Sequence, residues 1–285
     1  MKKYIILALI VMKQFQVNAQ SSNANLIQYL FNKYQTNPAY AGYKDCSNVS
    51  LSARSSNYGN LTSPDYISLS TDMPFMPNYG FGFNISSENQ GIVNSLKANV
   101  ACRYAFDLDF ESQVIVGASI GAISDKLLKN QYVNFNKNQL GTNSFGLVGE
   151  LGVVYENEDY SFSLAIPLSQ KNVSISNSYL ANTPNVKAIC SFFNHLDDNN
   201  TVMPILNVNY YSAGNQTQFV AGAEYMYKNQ IGLISMVDVT NKLFNSGIKY
   251  CSIRGWSAIF GFSEKPSSMQ QNSNGVMELS LNYTY

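Results

Sequence analysis

"MELSLNYTY" (residues 277–285) sets Met277, Leu279, Leu281, Tyr283 and Tyr285 at every second position, with Glu278, Ser280, Asn282 and Thr284 between them. A period of two sends alternate side chains to opposite faces of an extended strand, so this segment has one apolar and one polar face. The same alternation begins near Val49 and recurs to the last residue. Leu96–Tyr104, Val114–Ala122, Phe145–Tyr155 and Phe219–Tyr227 are clear cases. Val186–Phe192, Val202–Tyr210 and Ile248–Tyr250 alternate less cleanly. Fourteen stretches can be counted, an even number, as a bacterial single-chain barrel requires.

The connections sort by length. With both termini placed in the periplasm, the periplasmic set includes "DLDFE" (107–111), "ENE" (156–158), "KN" (228–229) and "RG" (254–255), nearly all tight. The outer set includes 125–143, 168–185 and 264–274, long and rich in Asn, Ser and Lys. Short turns at one end and long loops at the other are the pattern of outer-membrane barrels. A secreted β-sandwich, the main rival, has no reason to sort its loops this way. The expected fold is all-β: an antiparallel transmembrane β-barrel of about 14 strands over residues 49–285.

Composition agrees. The chain is 13% charged, where a soluble domain carries about 25%, and it holds 20 Tyr, 16 Phe and 18 Gly. The polar face of the strands carries Arg54, Lys97, Arg103, Glu150, Lys187, Glu224, Lys249 and Glu278, with Asn207 and Asn209. In lipid each charge would cost about 2–4 kcal/mol at the bilayer midplane, so these side chains are expected in the lumen as a polar network. Their mixed signs argue against a strongly charge-selective pore. Tyr283 and Tyr285 end the last strand on aromatic residues, similar to the signal read by barrel-insertion machinery.

The first 19 residues read as a signal peptide. Lys2 and Lys3 precede an apolar core, Tyr4–Met12, and Val17 and Ala19 stand at the −3 and −1 positions before Gln20. That core is half the roughly 20 residues a transmembrane helix needs. Removing 1–19 leaves 15 cations of the 18 against 18 acids, a net charge of −3, with no basic run to attract nucleic acid. Cys46, Cys102, Cys190 and Cys251 are far apart and form no CxxC pair. They read as small apolar filler, with one long-range disulfide left open.

No catalytic or cofactor-binding motif stands out. His195, the one histidine, lies in "HLDDNN" and reads as part of a solvated turn; the spaced acids of a calcium loop are absent. "GASIGAISDK" (117–126) lacks the P-loop order, so Gly117 and Gly121 are expected to relieve crowding within a curved strand.

Ahead of the first strand stands "QYLFNKYQTNPAYAG" (28–42). It resembles the opening of the PorP/SprF family of type IX secretion system outer-membrane proteins, a Gln-Tyr-x-Phe-Asn stretch running into Asn-Pro-Ala-Tyr-x-Gly. Gln28, Tyr29, Phe31, Asn32, Asn37, Pro38, Ala39, Tyr40 and Gly42 carry the match. "GFGFNISSENQG" (80–91), "VGASIGAISDK" and "MELSLNYTY" are similar to later family landmarks. The first strand lacks the family's common Arg-x-Gln-Trp, and Met277-Glu278 stands where His-Glu is frequent. The resemblance implies a fourteen-stranded barrel in the outer membrane of a Bacteroidota-type bacterium. It also implies a role in exporting and anchoring a secreted protein with a C-terminal sorting domain, such as a gliding adhesin, and partners among type IX secretion components.

Physically, a fourteen-stranded lumen is wider than its own side chains fill, since about eight strands suffice for a solid interior. The segment 20–48 is therefore expected to enter and plug the lumen or to present a partner surface. Pro38 fixes its own φ and biases Asn37 to extended geometry, and Gly42 permits a sharp exit. An outer-membrane transporter of hydrophobic small molecules with an N-terminal plug is the alternative. It would need an apolar pocket, where the inner face reads as Ser, Asn, Gly and mixed charges. A general porin, with more strands and a charged constriction loop, fits less well.

Overall fold

The computed structural model describes residues 27, 30, 32–43, 46–56, 65–90, 93–127, 143–171, 186–211, 216–264 and 276–285. The expected signal peptide, 1–19, lies outside them. Fourteen antiparallel strands form one closed sheet. They are β1 (Asn48–Ser56), β2 (Asp65–Met76), β3 (Tyr79–Gln90), β4 (Val93–Asp107), β5 (Gln113–Leu127), β6 (Asn143–Glu156) and β7 (Tyr160–Lys171). Then come β8, in two pieces (Val186–Phe192 and Asn194–Asp197), β9 (Asn200–Tyr211), β10 (Gln216–Tyr227), β11 (Ile231–Asp238), β12 (Leu243–Cys251), β13 (Trp256–Glu264) and β14 (Val276–Thr284).

Each strand pairs with its neighbours in sequence, and β14 returns to β1 in unbroken register from Asn48↔Thr284 to Ser56↔Val276. This seam removes both sheet edges, which is obligatory in a solvent that offers the backbone no hydrogen bonds. The break in β8 falls at Phe193, whose N–H donates to the carbonyl of Asp159 (2.6 Å) instead of to the ladder.

Both ends of the seam's termini, Asn48 and Thr284, lie at the end of the tight turns. That end carries connections 77–78, 108–112, 157–159, 198–199, 228–230 and 252–255. Lys228 and Asn229 both take left-handed φ (50° and 54°), the pair of positive angles that a twist-matched hairpin turn requires. At the opposite end three connections are nevertheless short, 91–92, 212–215 and 239–242. The strands also run into what the sequence suggested were loops: β5 continues to Leu127 and β7 to Lys171. Asp125 there is buried, bonded to the hydroxyls of Ser95 (2.6 Å) and Ser144 (3.2 Å). Polar residues on both faces above the membrane hide the alternation that marks the lower strand.

The alternating apolar residues point outward. Ile120 (64% exposed), Leu279 (49%) and Phe260 (51%) face the surroundings, while Ser280, Glu224 and Ser52 face inward and are buried. Aromatic side chains gather in a belt beside the tight turns. Tyr79 meets Tyr104 and Tyr104 meets Phe106, each at 4.6 Å between ring centroids; Trp256 lies 4.5 Å from Tyr283, which stacks on Tyr285. Such a belt marks a membrane–water boundary. The four cysteines are free thiols, and Cys102 lies on the outer face.

The inner face departs from its sequence reading. Besides Ser, Asn and charges it carries apolar residues in two clusters. One gathers Ile189, Ile205, Val220, Ile234, Met236 and Ile259; the other includes Ala101, Ala105, Ile115 and Val154. Most of these positions sit between outward residues that are also apolar, as in Val114-Ile115-Val116, so alternation does not mark them.

The outward assignment makes a prediction. Leu279→Arg should destabilise the folded barrel by about 2–4 kcal/mol in lipid vesicles, whereas Leu279→Phe, which keeps an apolar side chain on the same outward position, should cost under about 1 kcal/mol. Denaturant titration of the reconstituted protein measures both.

Candidate functional site: a segment seated in the lumen

Residues 32–43 run inside the barrel as two short 3-10 turns, Lys33–Gln35 and Pro38–Tyr40. Asn37, which precedes proline, is extended (φ −154°, ψ 123°), as Pro38 dictates sterically. Its amide is fully used. The Oδ1 accepts the N–H of Ala39 (2.9 Å), and the Nδ2 donates to the Ser163 hydroxyl (2.8 Å) and the Leu164 carbonyl (3.0 Å). The Tyr40 hydroxyl meets that of Ser161 at 3.1 Å, and Asn32 bonds Ser70. Asn32, Asn37, Pro38, Ala39, Tyr40 and Gly42 are all buried; Gln28, Tyr29 and Phe31 lie outside the described residues.

Wall cations hold the segment by its carbonyls. Arg103 donates from Nε to the carbonyl of Ala41 (2.7 Å) and from a terminal nitrogen to that of Gly42. Lys187 donates to the Thr36 carbonyl (2.9 Å) while pairing with Glu150. Hydrogen bonds to charged groups in such surroundings contribute about 1.5–3 kcal/mol each. The remaining charged residues stay within the wall. Lys249 pairs with the buried Glu224 (2.8 Å) and Arg54 with Glu88 (3.1 Å), with Glu278 facing Arg54 across the β1–β14 seam. Lys97 stands on β4 opposite Ser86. Two of these cations, Arg103 and Lys187, serve the segment.

Gly42 exits through φ +65°, its N–H bonded to Asp72 (2.9 Å), and a Cβ there would overlap the Met73 carbonyl. Among the described residues, four wall glycines meet residues 32–43 through the space a side chain would fill, among them Gly80, whose Cβ would overlap the Ala41 carbonyl. A Cβ on Gly82 would enter the Tyr34 ring, one on Gly117 the backbone of Pro38 and Ala39, and one on Gly152 the Asn37 amide. Gly117 therefore seats the segment, whereas it was expected to relieve crowding within its strand. Gly121, whose Cβ would meet Ala98 and Asn99 of the adjoining strand, does relieve such crowding. The burial of Tyr34, reinforced by the charges of Asp72 and Glu150, pushes its phenol well above the usual tyrosine range, so it stays neutral. Ahead of these turns Ile27 and Leu30 cover the first apolar wall cluster.

Several contacts lay beyond sequence reasoning. Asp72, Ser161 and Ser163 touch the segment but belong to no motif; their one sequence signal is inward parity on their strands. A cavity of about 270 Å³ remains between the segment and the β14–β1–β2 wall, lined by Lys33, Tyr34, Asn48, Asp72 and Asn282 among others. His195 sits exposed on the rim, 3.4 Å from the Thr201 hydroxyl.

A closed fourteen-stranded barrel with an aromatic belt, an apolar outer face and a segment of its own chain inside the lumen defines an outer-membrane β-barrel protein. Residues 18–283 match the family of type IX secretion system membrane proteins PorP/SprF, and the chain belongs to that family. No curated protein matches the sequence. Among solved structures, the Pseudomonas putida toluene transporter TodX is similar at TM-score 0.56 and 12% identity, covering 93% of this chain and 94% of its own. The Ralstonia pickettii toluene transporter TbuX is similar at TM-score 0.55 and 12% identity, covering 88% and 92%. The CymD monoaromatic hydrocarbon channel aligns at TM-score 0.51 and 13% identity, over 94% of each chain. At these identities the likeness is one of fold.

The glycine seat can be tested directly. Gly117→Val keeps a strand-forming residue but inserts methyl groups against Ala39, at a cost of about 1–3 kcal/mol. Hydrogen exchange should show amides of 32–43 losing protection about ten-fold or more, while β5 and β6 stay protected and migration on gels remains heat-modifiable.

Proposed function

We propose that this type IX secretion barrel supports export and cell-surface anchoring of a cognate secreted protein bearing a C-terminal sorting domain, such as a gliding adhesin. In this reading it also joins periplasmic secretion components to the outer membrane. It is a binding and anchoring component, not an enzyme. The observation that carries the reading is the seated segment. Arg103 and Lys187 clamp its carbonyls while Gly80, Gly82, Gly117 and Gly152 of the wall receive it, so the lumen is occupied and the two ends are left as working surfaces. The segment 20–48 acts as a plug and, in whole or part, as a partner surface.

Deleting 24–42 tests this reading. Heat-modifiable migration should persist, because the pairing of β1 with β14 begins at Asn48. Display of the cognate adhesin should be lost and conductance in planar bilayers should rise. Unchanged display and conductance would reduce the segment to a leader.

A second reading draws on the apolar wall cluster beneath Ile27 and Leu30 and on the hydrocarbon-transporter names of the similar folds. Here the barrel admits hydrophobic small molecules past a displaced plug. Uptake of a labelled alkane into proteoliposomes, faster after the same deletion and without effect on adhesin display, would favour it over anchoring.

Topology follows from the same proposal: the tight-turn end faces the periplasm. With the native cysteines replaced, a cysteine at Asn241 in the β11–β12 turn should be labelled on intact cells. So should cysteines at Asn138, Asn177 and Gln271, which lie outside the described residues. Cysteines at Asn229 and Asp198 should be spared, and the inverse pattern would turn the barrel over.

A further inference from the structure

Charge is segregated among the described turns of the tight-turn rim. Asp107 at the end of β4 is followed by Asp109 and Glu111 in the β4–β5 connection, and Glu156 at the end of β6 by Glu158 and Asp159 in the β6–β7 connection. Asp197 and Asp198 follow at the β8–β9 connection, and none of the three turns holds a lysine or arginine. These connections are adjacent around the barrel because β4 to β9 follow one another in the sheet. The far half of the rim carries Lys228 and Arg254. Hydrogen bonds from the Ser112 hydroxyl and the Glu111 N–H hold the Asp109 carboxyl below the usual carboxylate range.

In this acidic arc Asp107, Asp109, Glu111, Glu156 and Glu158 border an open cavity of about 560 Å³ whose lining includes Tyr43, Phe110, Phe193 and His195; on its plug side Lys33 lies over the Tyr43 and Phe193 rings. Glu156 is 8% exposed; one carboxylate oxygen accepts from the Tyr43 hydroxyl, and the other, also buried, has no hydrogen-bond partner among the described residues. A buried carboxylate oxygen without a donor is costly, and an incoming cationic donor removes that cost. Beside it Phe110 stands fully exposed at the tip of its turn. Among the described residues no three carboxylates, histidines or cysteines converge to hold a metal ion. An anionic lipid surface would be repelled.

We propose that this cup is a docking site for a lysine- or arginine-rich segment of another polypeptide, its cations meeting the arc and Glu156 while an apolar side chain packs on Phe110. The seated plug borders the site, because Tyr43 belongs to both. The inference goes beyond the anchoring reading and does not depend on the identity of the exported protein.

The test uses the full chain in detergent micelles and the labelled peptide Lys-Phe-Lys-Lys-Phe-Lys, followed by fluorescence anisotropy at about 0.15 M salt, where the Debye length is about 8 Å. Saturable one-to-one binding is expected. It should weaken about ten-fold or more in the double variant Asp109→Lys, Glu158→Lys and about five-fold in Phe110→Ser, and stay unchanged in Arg254→Gln. Phe110→Ser alters only an exposed turn tip, so it reports on the site even if the double variant folds poorly. Equal binding by wild type and Phe110→Ser, displacement by millimolar calcium, or equal binding of hexalysine would each overturn the proposal.

Discussion

The pairing of Asn48–Ser56 with Val276–Thr284 joins the two ends of the barrel segment into one sheet, and the other features follow from that closure. In lipid, an unpaired strand edge would leave a row of donors and acceptors without partners, so the sheet must close. Closure with fourteen strands then creates an interior that the wall's own side chains do not fill. An outer face selected for lipid and an inner face selected for whatever occupies the lumen are both consequences of the seam.

The occupant comes from the same chain, and the fit is reciprocal. Asn37 spends its amide on one N–H of its own turn and on two acceptors of the wall. Gly80, Gly82, Gly117 and Gly152 give up side chains where the segment runs closest. Arg103 and Lys187 supply donors to carbonyls that the 3-10 turns leave open. Polar bonding of this kind is specific in geometry but limited in energy, since each contact replaces one with water. A plug so held is well placed yet removable, which suits a segment proposed both to close the lumen and to meet a partner.

The two ends of the barrel differ in kind. The tight-turn rim bears the aromatic belt on its outer flank and carries carboxylates along one half of its edge. Function in the anchoring reading rests on surfaces like this one, because the seated segment is proposed to close the lumen.

The fourteen strands and their outward faces were legible from alternation alone, because lipid on one side and polar groups on the other impose a period of two. Family membership was legible from "QYLFNKYQTNPAYAG", and the inward placement of Arg54, Glu224 and Glu278 from the cost of charge in lipid. What alternation could not show is anything decided across the lumen. Ile189, Val220 and Met236 face inward although apolar, since the segment and its neighbours shield them from water. Gly117 reads locally as a relief of crowding, and only the fold brings Ala39 against it. Asp72 and Ser163 carry no motif, because their partners lie thirty to more than a hundred residues away. The sequence by itself determined the period, and hence the wall. Only the tertiary structure decided what the wall encloses, because contacts across a lumen join residues whose spacing along the chain has no fixed period.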